Sequence, residues 1–495
     1  MVPEGLERRP LKEIADIVAS NGYNCVRLTW ATYMFTRSNY SRLSVNQSLN
    51  RWGLIQAMEG MAKNNPWIMG LTPIEAQKAV VDELGAHDIM VVLDNHVSLP
   101  KWCCGNNDGN GFFGDEFFDP NEWLQGLSTV AKLYKGVHTV VGMSMRNELR
   151  GPRQNKKDWY KYVQMGATTI HKANPNVLVI VSGLNFDTKL RFLKKKPLSL
   201  ASNLAPKLVY EGHWYSFGNP TDRWMFQTNG QCANVTRSFM RKVGFLVTGP
   251  NPAPLFLSEF GVDQRGTNER DNRYLSCILG FLAERDLDWA LWTLQGSYML
   301  REGKVGMEET YGLVDKNWVH LRNSTLQNKL QLVQQMTQDP NSNGPTNYVL
   351  FHPQSGQCAQ LGSDQGLYLG NCLETSKWSY GGNGKGSPNK RQRHHGTQIR
   401  LAGTTQCLKA DGHGLPPILS DDCSSRQSRW KSVSKSKFHM AARDGHGSHL
   451  CLDWSSSTSA LLTNKCLCMD NDLKDVPSCG QNPQHQWFKL VPTNK

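Results

Sequence analysis

Val140-Val141-Gly142-Met143-Ser144-Met145-Arg146-Asn147-Glu148-Leu149 is a short apolar run that breaks off in a cation, an amide and an acid. Such a run fits a strand buried on both faces, as in a parallel sheet. A helical pattern follows from Asp158. In chains that alternate strand and helix, side chains at the carboxyl ends of the strands face the ligand. Glu148 therefore stands at a strand mouth. Most glutamates in such places are merely solvated, so the rest of the chain decides whether this one has a role.

Working outward, the same alternation recurs on both sides. Leu11, Ile14, Ala15, Ile17 and Val18 form an apolar helix face that Asn21-Gly22 closes as a C-terminal cap. Asn24 to Trp30 reads as a strand. Thr72-Pro73, with Glu75 close behind, opens a helix that runs to about His87. Ile89 to Asp94 is the next strand and ends in Asn95-His96, and a helix spans roughly Asn121 to Tyr134. Beyond Glu148 come a helix over 158–172, strands over 177–181 and 208–211, a strand over 254–258 leading into Glu259-Phe260-Gly261, a helix over 268–284, and a last strand, Trp289 to Trp292. Polar groups at so many strand ends favour an α/β barrel of the (β/α)8 type over an open sheet. No glycine-rich dinucleotide loop follows any strand, so a Rossmann reading has no support. The alternation supplies seven strands and begins on a helix, so the first strand of an eight-stranded barrel is expected to be missing from this chain.

Glu148 now has a counterpart. Glu259 also ends a short apolar strand, and in the usual barrel count the two acids fall on strands four and seven. Glycoside hydrolysis needs two carboxyl groups: one protonates the leaving oxygen while the other meets the developing oxocarbenium ion from the opposite face. The first must carry a proton at working pH and the second must be ionised. Asn147-Glu148, Ser258-Glu259-Phe260-Gly261, Arg27 in Val-Arg-Leu, His96 in Asp-Asn-His, His213-Trp214-Tyr215 and Trp292 make an ordered set over residues 10–320. That set resembles glycoside hydrolase family 5, a retaining (β/α)8 family that includes cellulases and mannanases. The resemblance implies that Glu148 is the acid/base and Glu259 the nucleophile, on a β-linked polysaccharide or oligosaccharide. It further implies that Arg27 holds Glu259 ionised, since a guanidinium lowers a neighbouring carboxyl pKa. Tyr215 reaches the same carboxylate, Asn147 binds the sugar 2-hydroxyl, His96 and His213 orient sugar and acids, and Trp292 offers a flat face to a pyranose. Each has a bland counterpart, an ordinary ion pair for Arg27 or core packing for Trp292. The chemistry calls for no cofactor and no metal.

Loop 101–115, rich in glycine and asparagine, carries Trp102, Phe112 and Phe113 and is expected to rim the cleft. Its adjacent Cys103 and Cys104 have no histidine or cysteine partner at zinc-like spacing, so disulfides or free thiols are expected there.

The polar, turn-rich stretch 334–346 marks a boundary. We divide the chain into a catalytic domain at 1–338, a linker at 339–346 and a second domain at 347–495. Helical periodicity stops in the last part and a repeat begins: Gln357-Cys358 to Cys372 and Trp378, Gln406-Cys407 to Cys423 and Trp430, Leu450-Cys451 to Cys466 and Trp487. This resembles a ricin B-type β-trefoil lectin, with the Gln-x-Trp mark eroded to Ser-Lys-Trp378, Ser-Arg-Trp430 and His-Gln-Trp487. The resemblance implies core positions for the three tryptophans and disulfides 358–372 and 407–423. It also implies a bond from Cys451 to Cys466 or Cys468, with Cys479 taking the other. Only the third repeat keeps an aspartate shortly after its first cysteine, so Asp453 with Trp454 is the expected lectin site. Tyr380 to His395 reads as a disordered loop.

The 13 cysteines, eight of them from Cys358 onward, point to an oxidising compartment. With the resemblance they imply an extracellular or cell-wall protein, although Met1 to Glu7 has no signal-peptide architecture. A formal charge of +13 is compatible with acidic polymers, but it is spread along the chain and no nucleic-acid motif accompanies it. No apolar run reaches the roughly 20 residues that span a bilayer. Neither nucleic acid nor membrane is an expected partner. The rival reading is a carbohydrate-binding protein without catalysis, built on a truncated barrel.

Overall fold

The computed structural model describes residues 3–217, 221–248, 251–381, 396–469 and 481–495. They fall into two compact units. The first comprises residues 1–215, 239–265 and 288–322, and the second 216–238, 266–287 and 323–495.

In the first unit seven strands lie side by side in chain order: β1 (Cys25–Ala31), β2 (Met90–Val97), β3 (Val140–Ser144), β4 (Leu178–Val181), β5 (Leu208–Trp214), β6 (Leu255–Phe260) and β7 (Trp289–Leu291). Every pairing is parallel. The last strand comes round beside the first, where Tyr23 meets Trp289 edge-on at 6.1 Å. The sheet is thus a nearly closed, TIM-like barrel.

Local chemistry explains why the helices start where they do. Thr72 and Glu75 form a reciprocal capping box ahead of the helix Pro73–Ala86. Asp119 caps the helix Pro120–Leu133 by accepting from the amides of Asn121 and Glu122. Apolar faces then lay these helices on the sheet. Trp123, fully buried, donates its indole N–H to the Met145 carbonyl at 2.9 Å, and Trp159 of the helix Lys156–Ala173 does the same to Ser182 at 3.0 Å. Gly166 permits the close approach, because a Cβ there would lie 2.5 Å from the Trp123 ring.

Three strands outrun their expected ends. β2 continues through His96, β5 through His213 and β6 through Glu259, because these polar residues still pair with neighbouring strands, as in His213 opposite Glu259. His96 and His213 therefore sit on strands, where loops after strands were expected. Register shifts fall near the carboxyl ends between Trp30 and Ala31, Glu211 and His213, and Leu257 and Phe260, with one more at the start of β2 between Val91 and Val92. Such irregularities re-aim side chains and are frequent beside active sites. β3 does the opposite and ends at Ser144, leaving Met145 to Glu148 outside the strand. Short helices at Tyr33–Thr36, Ser38–Ser41, Val45–Arg51 and Ile55–Asn64 fill the connection after β1, and a hairpin of β8 (Ser297–Arg301) and β9 (Lys304–Glu308) follows β7. None of these was expected.

The second unit holds twelve strands among its described residues. β10 (Asn347–His352), β11 (Gln357–Leu361), β12 (Leu367–Gly370) and β13 (Trp378–Tyr380) belong to the first cysteine repeat, and β14 (Ile399–Leu401), β15 (Cys407–Lys409), β16 (Ile418–Ser420) and β17 (Lys431–Val433) to the second. β18 (His439–Arg443), β19 (His449–Trp454), β20 (Leu461–Lys465) and β21 (Lys489–Thr493) belong to the third. All pairings are antiparallel, and β21 returns to pair with β10. Leu350, Leu408, Leu450, Trp378 and Trp430 share one buried core. Trp487 is equally buried but stacks on Phe438 at 4.7 Å and donates to Asn229 Oδ1 at 2.8 Å.

Disulfides join Cys358 to Cys372, Cys407 to Cys423 and Cys451 to Cys466, and Cys232 to Cys277 is a further pair that spacing did not reveal. Cys479, and all but the first two residues of the Tyr380–His395 loop, lie outside the described residues. Among the described residues no helix is long and apolar enough to cross a membrane.

Candidate active site

The barrel gathers at its carboxyl end residues that are far apart in the chain. Arg27, on β1, is the hub. Its Nη1 lies 3.2 Å from Glu259 Oε2, while Nη2 donates to Asn147 Oδ1 at 2.8 Å and lies 3.2 Å from Asp94 Oδ1. Tyr215 donates its hydroxyl to the other oxygen of Glu259 at 2.8 Å. His213 Nδ1 is 2.9 Å from Glu148 Oε1 and 3.9 Å from Glu259 Oε1. One oxygen of each glutamate and a ring nitrogen of His213 all lie within 4.8 Å of one another. His96 bonds Asp94 through Nδ1 at 2.7 Å, and its ring stacks on Trp292 with centroids 6.0 Å apart. All eight barrel residues singled out in the sequence thus converge on one cleft. The two carboxyl groups stand closer than the roughly 6.5–9.5 Å that an inverting glycosidase keeps between its acids, which is the spacing of a double-displacement enzyme.

A family model for cellulase (glycosyl hydrolase family 5) matches residues 5–297. Over all of this chain and 88% of its own length, a glycosyl hydrolase 5 family protein of Chamaecyparis obtusa is 44% identical. The chain belongs to glycosyl hydrolase family 5. It is accordingly a glycoside hydrolase with the retaining chemistry of that family. An endoglucanase of Paenibacillus polymyxa is 22% identical over 59% of this chain and 70% of its own. Among solved structures, an endocellulase of the archaeon Pyrococcus horikoshii shares the fold, with a TM-score of 0.53 and 18% identity over 68% of this chain and 89% of that one.

In this family 5 hydrolase the charges beneath the cleft do not balance one for one. Asp94, Glu148, Asp187, Glu211 and Glu259 surround two cations, Arg27 and His213. Burial would push the Asp94 carboxyl up, but Arg27 and His96 hold it below the ordinary range. Burial raises Asp187 well above that range, and Glu211 beside it raises it further. Glu211 is itself raised by burial, although Arg27 and His213 pull the other way. Asp187 and Glu211 therefore retain protons more readily than free carboxyls. His213 would lose its proton on burial alone, yet Glu259, Glu148 and Asp187 raise it from 6.5 to about 10.

Glu148 departs from the sequence expectation. An acid catalyst was expected to hold its own proton. Burial does favour the neutral form, but the His213 hydrogen bond and charge, with Arg150 and His96, outweigh it and lower the Glu148 pKa. Both shifts favour the imidazole as the holder of the proton that the pair shares.

Several residues of the site escaped the sequence reading. Asp187 and Glu211 are among them, although Glu211, two residues before His213 on one strand, shares its face. Arg146 and Arg150, both buried, bolt the loop after β2 to the mouth of β3. Arg146 donates to Asn95 Oδ1 (3.1 Å), Ser98 Oγ (3.0 Å) and the Asn110 carbonyl (2.6 Å). Arg150 donates to the Glu148 carbonyl (2.8 Å), the Gly105 carbonyl (3.1 Å) and Asp108 Oδ2 (2.6 Å). Cys103 and Cys104 form a disulfide between chain neighbours, one of the alternatives expected, and both sulfurs face Asn147 Nδ2, at 3.7 and 3.6 Å.

Proposed function

We propose that this chain is an endo-acting hydrolase of a β-1,4-linked glucan, with Glu148 as acid/base and Glu259 as nucleophile. One observation carries the role assignment. Glu259 is gripped at both oxygens, by Arg27 and Tyr215, while Glu148 is bonded at one oxygen to His213, whose pKa is raised to about 10. The gripped carboxylate suits attack and the other suits proton delivery. In the first step His213 passes its Nδ1 proton to Glu148, and Glu148 passes it to the glycosidic oxygen. As that bond breaks, Glu259 bonds the anomeric carbon to give a glycosyl ester. In the second step Glu148, again a carboxylate, takes a proton from water while the oxygen attacks the same carbon and releases Glu259. Asn147, fixed by Arg27, reads the 2-hydroxyl, a contact that strengthens in the transition state. Trp292 and His96, stacked together, form a wall against the pyranose face. The endoglucanase identity of the Paenibacillus relative favours glucan over mannan.

For residues 347–495 we read a β-trefoil of the ricin B type, joined to the catalytic part (1–338) by the linker 339–346. Three sets of four antiparallel strands around one core support it. Asp453 is the best candidate for sugar binding there, because Asn464 Nδ2 (2.9 Å) and Gln486 Nε2 (3.0 Å) orient its carboxylate; Trp454, the next residue on β19, packs against the core and His352 instead of joining it. Such a module would raise the local concentration of polymer at the cleft. The disulfides in both units suit secretion to an extracellular or cell-wall site.

The test is reducing-sugar release on a panel of β-glucan, mannan and xylan. Glu259→Gln is expected to abolish it. Asp453→Ala is expected to keep release from soluble glucan while weakening retention on insoluble polymer. Release by the Glu259→Gln chain equal to wild type would overturn the nucleophile, and wild-type release confined to mannan would overturn the glucan reading.

A further inference from the structure

Two sulfurs and an imidazole meet at the wall of the cleft. A ring nitrogen of His96 and the sulfurs of Cys103 and Cys104 all lie within 4.8 Å of one another. His96 is already oriented, because its Nδ1 is hydrogen-bonded to Asp94 Oδ2 at 2.7 Å and Trp292 stacks on one face of the ring. A histidine with its far nitrogen tied to a carboxylate is the usual form of a metal-binding histidine. The cysteines are held by the loop as well as by each other. Asn110 Oδ1 accepts from the amides of Ser98 and Leu99 at 3.0 and 3.1 Å, and Arg150 clamps Gly105. The two cysteines are chain neighbours in one braced loop, and Cys104 is partly open to solvent.

We propose that Cys103 and Cys104, once reduced, form with His96 a site for a thiophilic divalent cation, and that a cation seated there closes the Asn147 side of the cleft. The site itself stands on geometry; the loss of hydrolysis rests on the glucanase reading above. A dithiol or phosphine reductant supplies two electrons and solvent two protons, so the S–S bond breaks and two S–H bonds form. The cation then displaces both thiol protons to solvent, forms two bonds to sulfur and takes the imidazole lone pair, with water in a fourth position. One nitrogen and two thiolates suit zinc or cadmium. Calcium and magnesium, which take oxygen ligands, are not expected to bind. Because both sulfurs lie against Asn147 Nδ2, an ion between them and His96 displaces the sugar hydroxyl that this amide is placed to hold.

The experiment titrates the full chain with cadmium before and after phosphine reduction. It reads thiolate-to-cadmium charge-transfer absorption in the ultraviolet and, in parallel, hydrolysis of β-glucan. The Cys103→Ser/Cys104→Ser chain, reduced identically, supplies the baseline for thiols from the other disulfides. The Cys25→Ser chain tests the free cysteine found among the described residues. Reduced wild type and Cys25→Ser are expected to take up one more cadmium per chain than the double variant and to lose hydrolysis until a chelator is added. His96→Gln is expected to bind cadmium about tenfold more weakly. Equal absorption by wild type and the double variant would overturn the site. Extra cadmium bound with hydrolysis unchanged would overturn the blocking of the cleft. A chain that never hydrolyses glucan refutes the glucanase reading alone, since the absorption still reports the site.

Discussion

Glu148 sits at φ +43°, in the left-handed region that a residue with a Cβ adopts at a cost of about 1–2 kcal/mol. Arg150, donating to the Glu148 carbonyl, and His213, bonded to its carboxylate, hold it there. The sign of the electrostatics follows from the two shifts. The His213 pKa is raised from 6.5 to about 10, so its contribution is fully present below 6.5 and is lost as pH rises through about 10. Glu148 is lowered from 4.5, so its contribution is present above 4.5 and is lost as pH falls through the lowered value. Between those limits the pair keeps one shared proton, the proton that catalysis spends. The alkaline limb of kcat/KM should therefore lie far above the carboxyl range. His213→Asn should bring it down toward the pKa of Glu148 itself and depress kcat. An unmoved limb in a pH profile of that variant would show that another group supplies the proton. A second expectation concerns Asp187. Since burial raises its pKa well above the ordinary range and so favours the neutral acid, Asp187→Asn, which is isosteric with that form, should change stability by no more than about 1 kcal/mol in a urea titration. A loss of several kcal/mol would mean that the carboxyl is ionised. None of this was legible in the sequence. Glu148, Glu259 and Arg27 could be named there, but which acid holds a proton depends on burial and on charges up to 232 residues away.

At the scale of elements, strands and long helices were readable because their signals are local. Thr72 and Glu75 announce a helix start three residues apart, and Gly22, at φ +76°, ends another after Asn21. Of the four short helices between β1 and residue 64, Val45–Arg51 carries such a signal in its Ser44/Gln47 capping box, which the sequence reading passed over, and the other three have no side-chain cap. All four stand on tertiary contacts, such as the bond from Val45 N to the Leu71 carbonyl at 2.8 Å, and isolated helices so short are not stable. The loop after β2 was expected to rim the cleft, but its Phe112 and Phe113 are buried, Phe113 against Phe118, Trp123 and Tyr162, and the brace on it was not foreseen. Its brace makes a prediction. Lysine cannot reproduce the guanidinium fork that joins Glu148, Gly105 and Asp108, so Arg150→Lys should lower kcat by about tenfold, which is about 1.4 kcal/mol, with KM little changed. Steady-state kinetics beside a thermal melt would check it. A fall in melting temperature with kcat intact would make the brace purely structural.

Across the whole molecule, the second unit carries its own sensitivity to acid. His352 and His439 are fully buried there, and burial lowers each from 6.5 to about 3. A histidine that resists protonation only when folded stabilises above its unfolded pKa, and that stability drains away as pH falls from 6.5 toward 3. Tryptophan-fluorescence melts of the full chain should lose stability between pH 7 and pH 5, and His352→Gln/His439→Gln should flatten the dependence. An equal slope in that variant would place the acid response elsewhere. The composition of this unit was also a matter for the tertiary structure. The helix Glu269–Arg285 follows β6 in barrel rhythm, yet it groups with the C-terminal strands: Glu284 pairs with Lys489 at 3.1 Å, and the Arg273 carbonyl accepts from Gln484 at 2.8 Å.

Residue order alone specified the strand and helix alternation, the two glutamates, their supporting residues and the cysteine repeat, because periodicity, caps and short motifs are written over a few positions. Folding decided the lowered pKa of Glu148, the raised ones of the acids beneath it, the brace on its loop, and the meeting of His96 with Cys103 and Cys104 against Asn147. Those depend on burial and on distances between residues that only a barrel brings together. The strand mouth at Asn147-Glu148 was visible in ten letters; the proton it works with belongs to a histidine 65 residues further on.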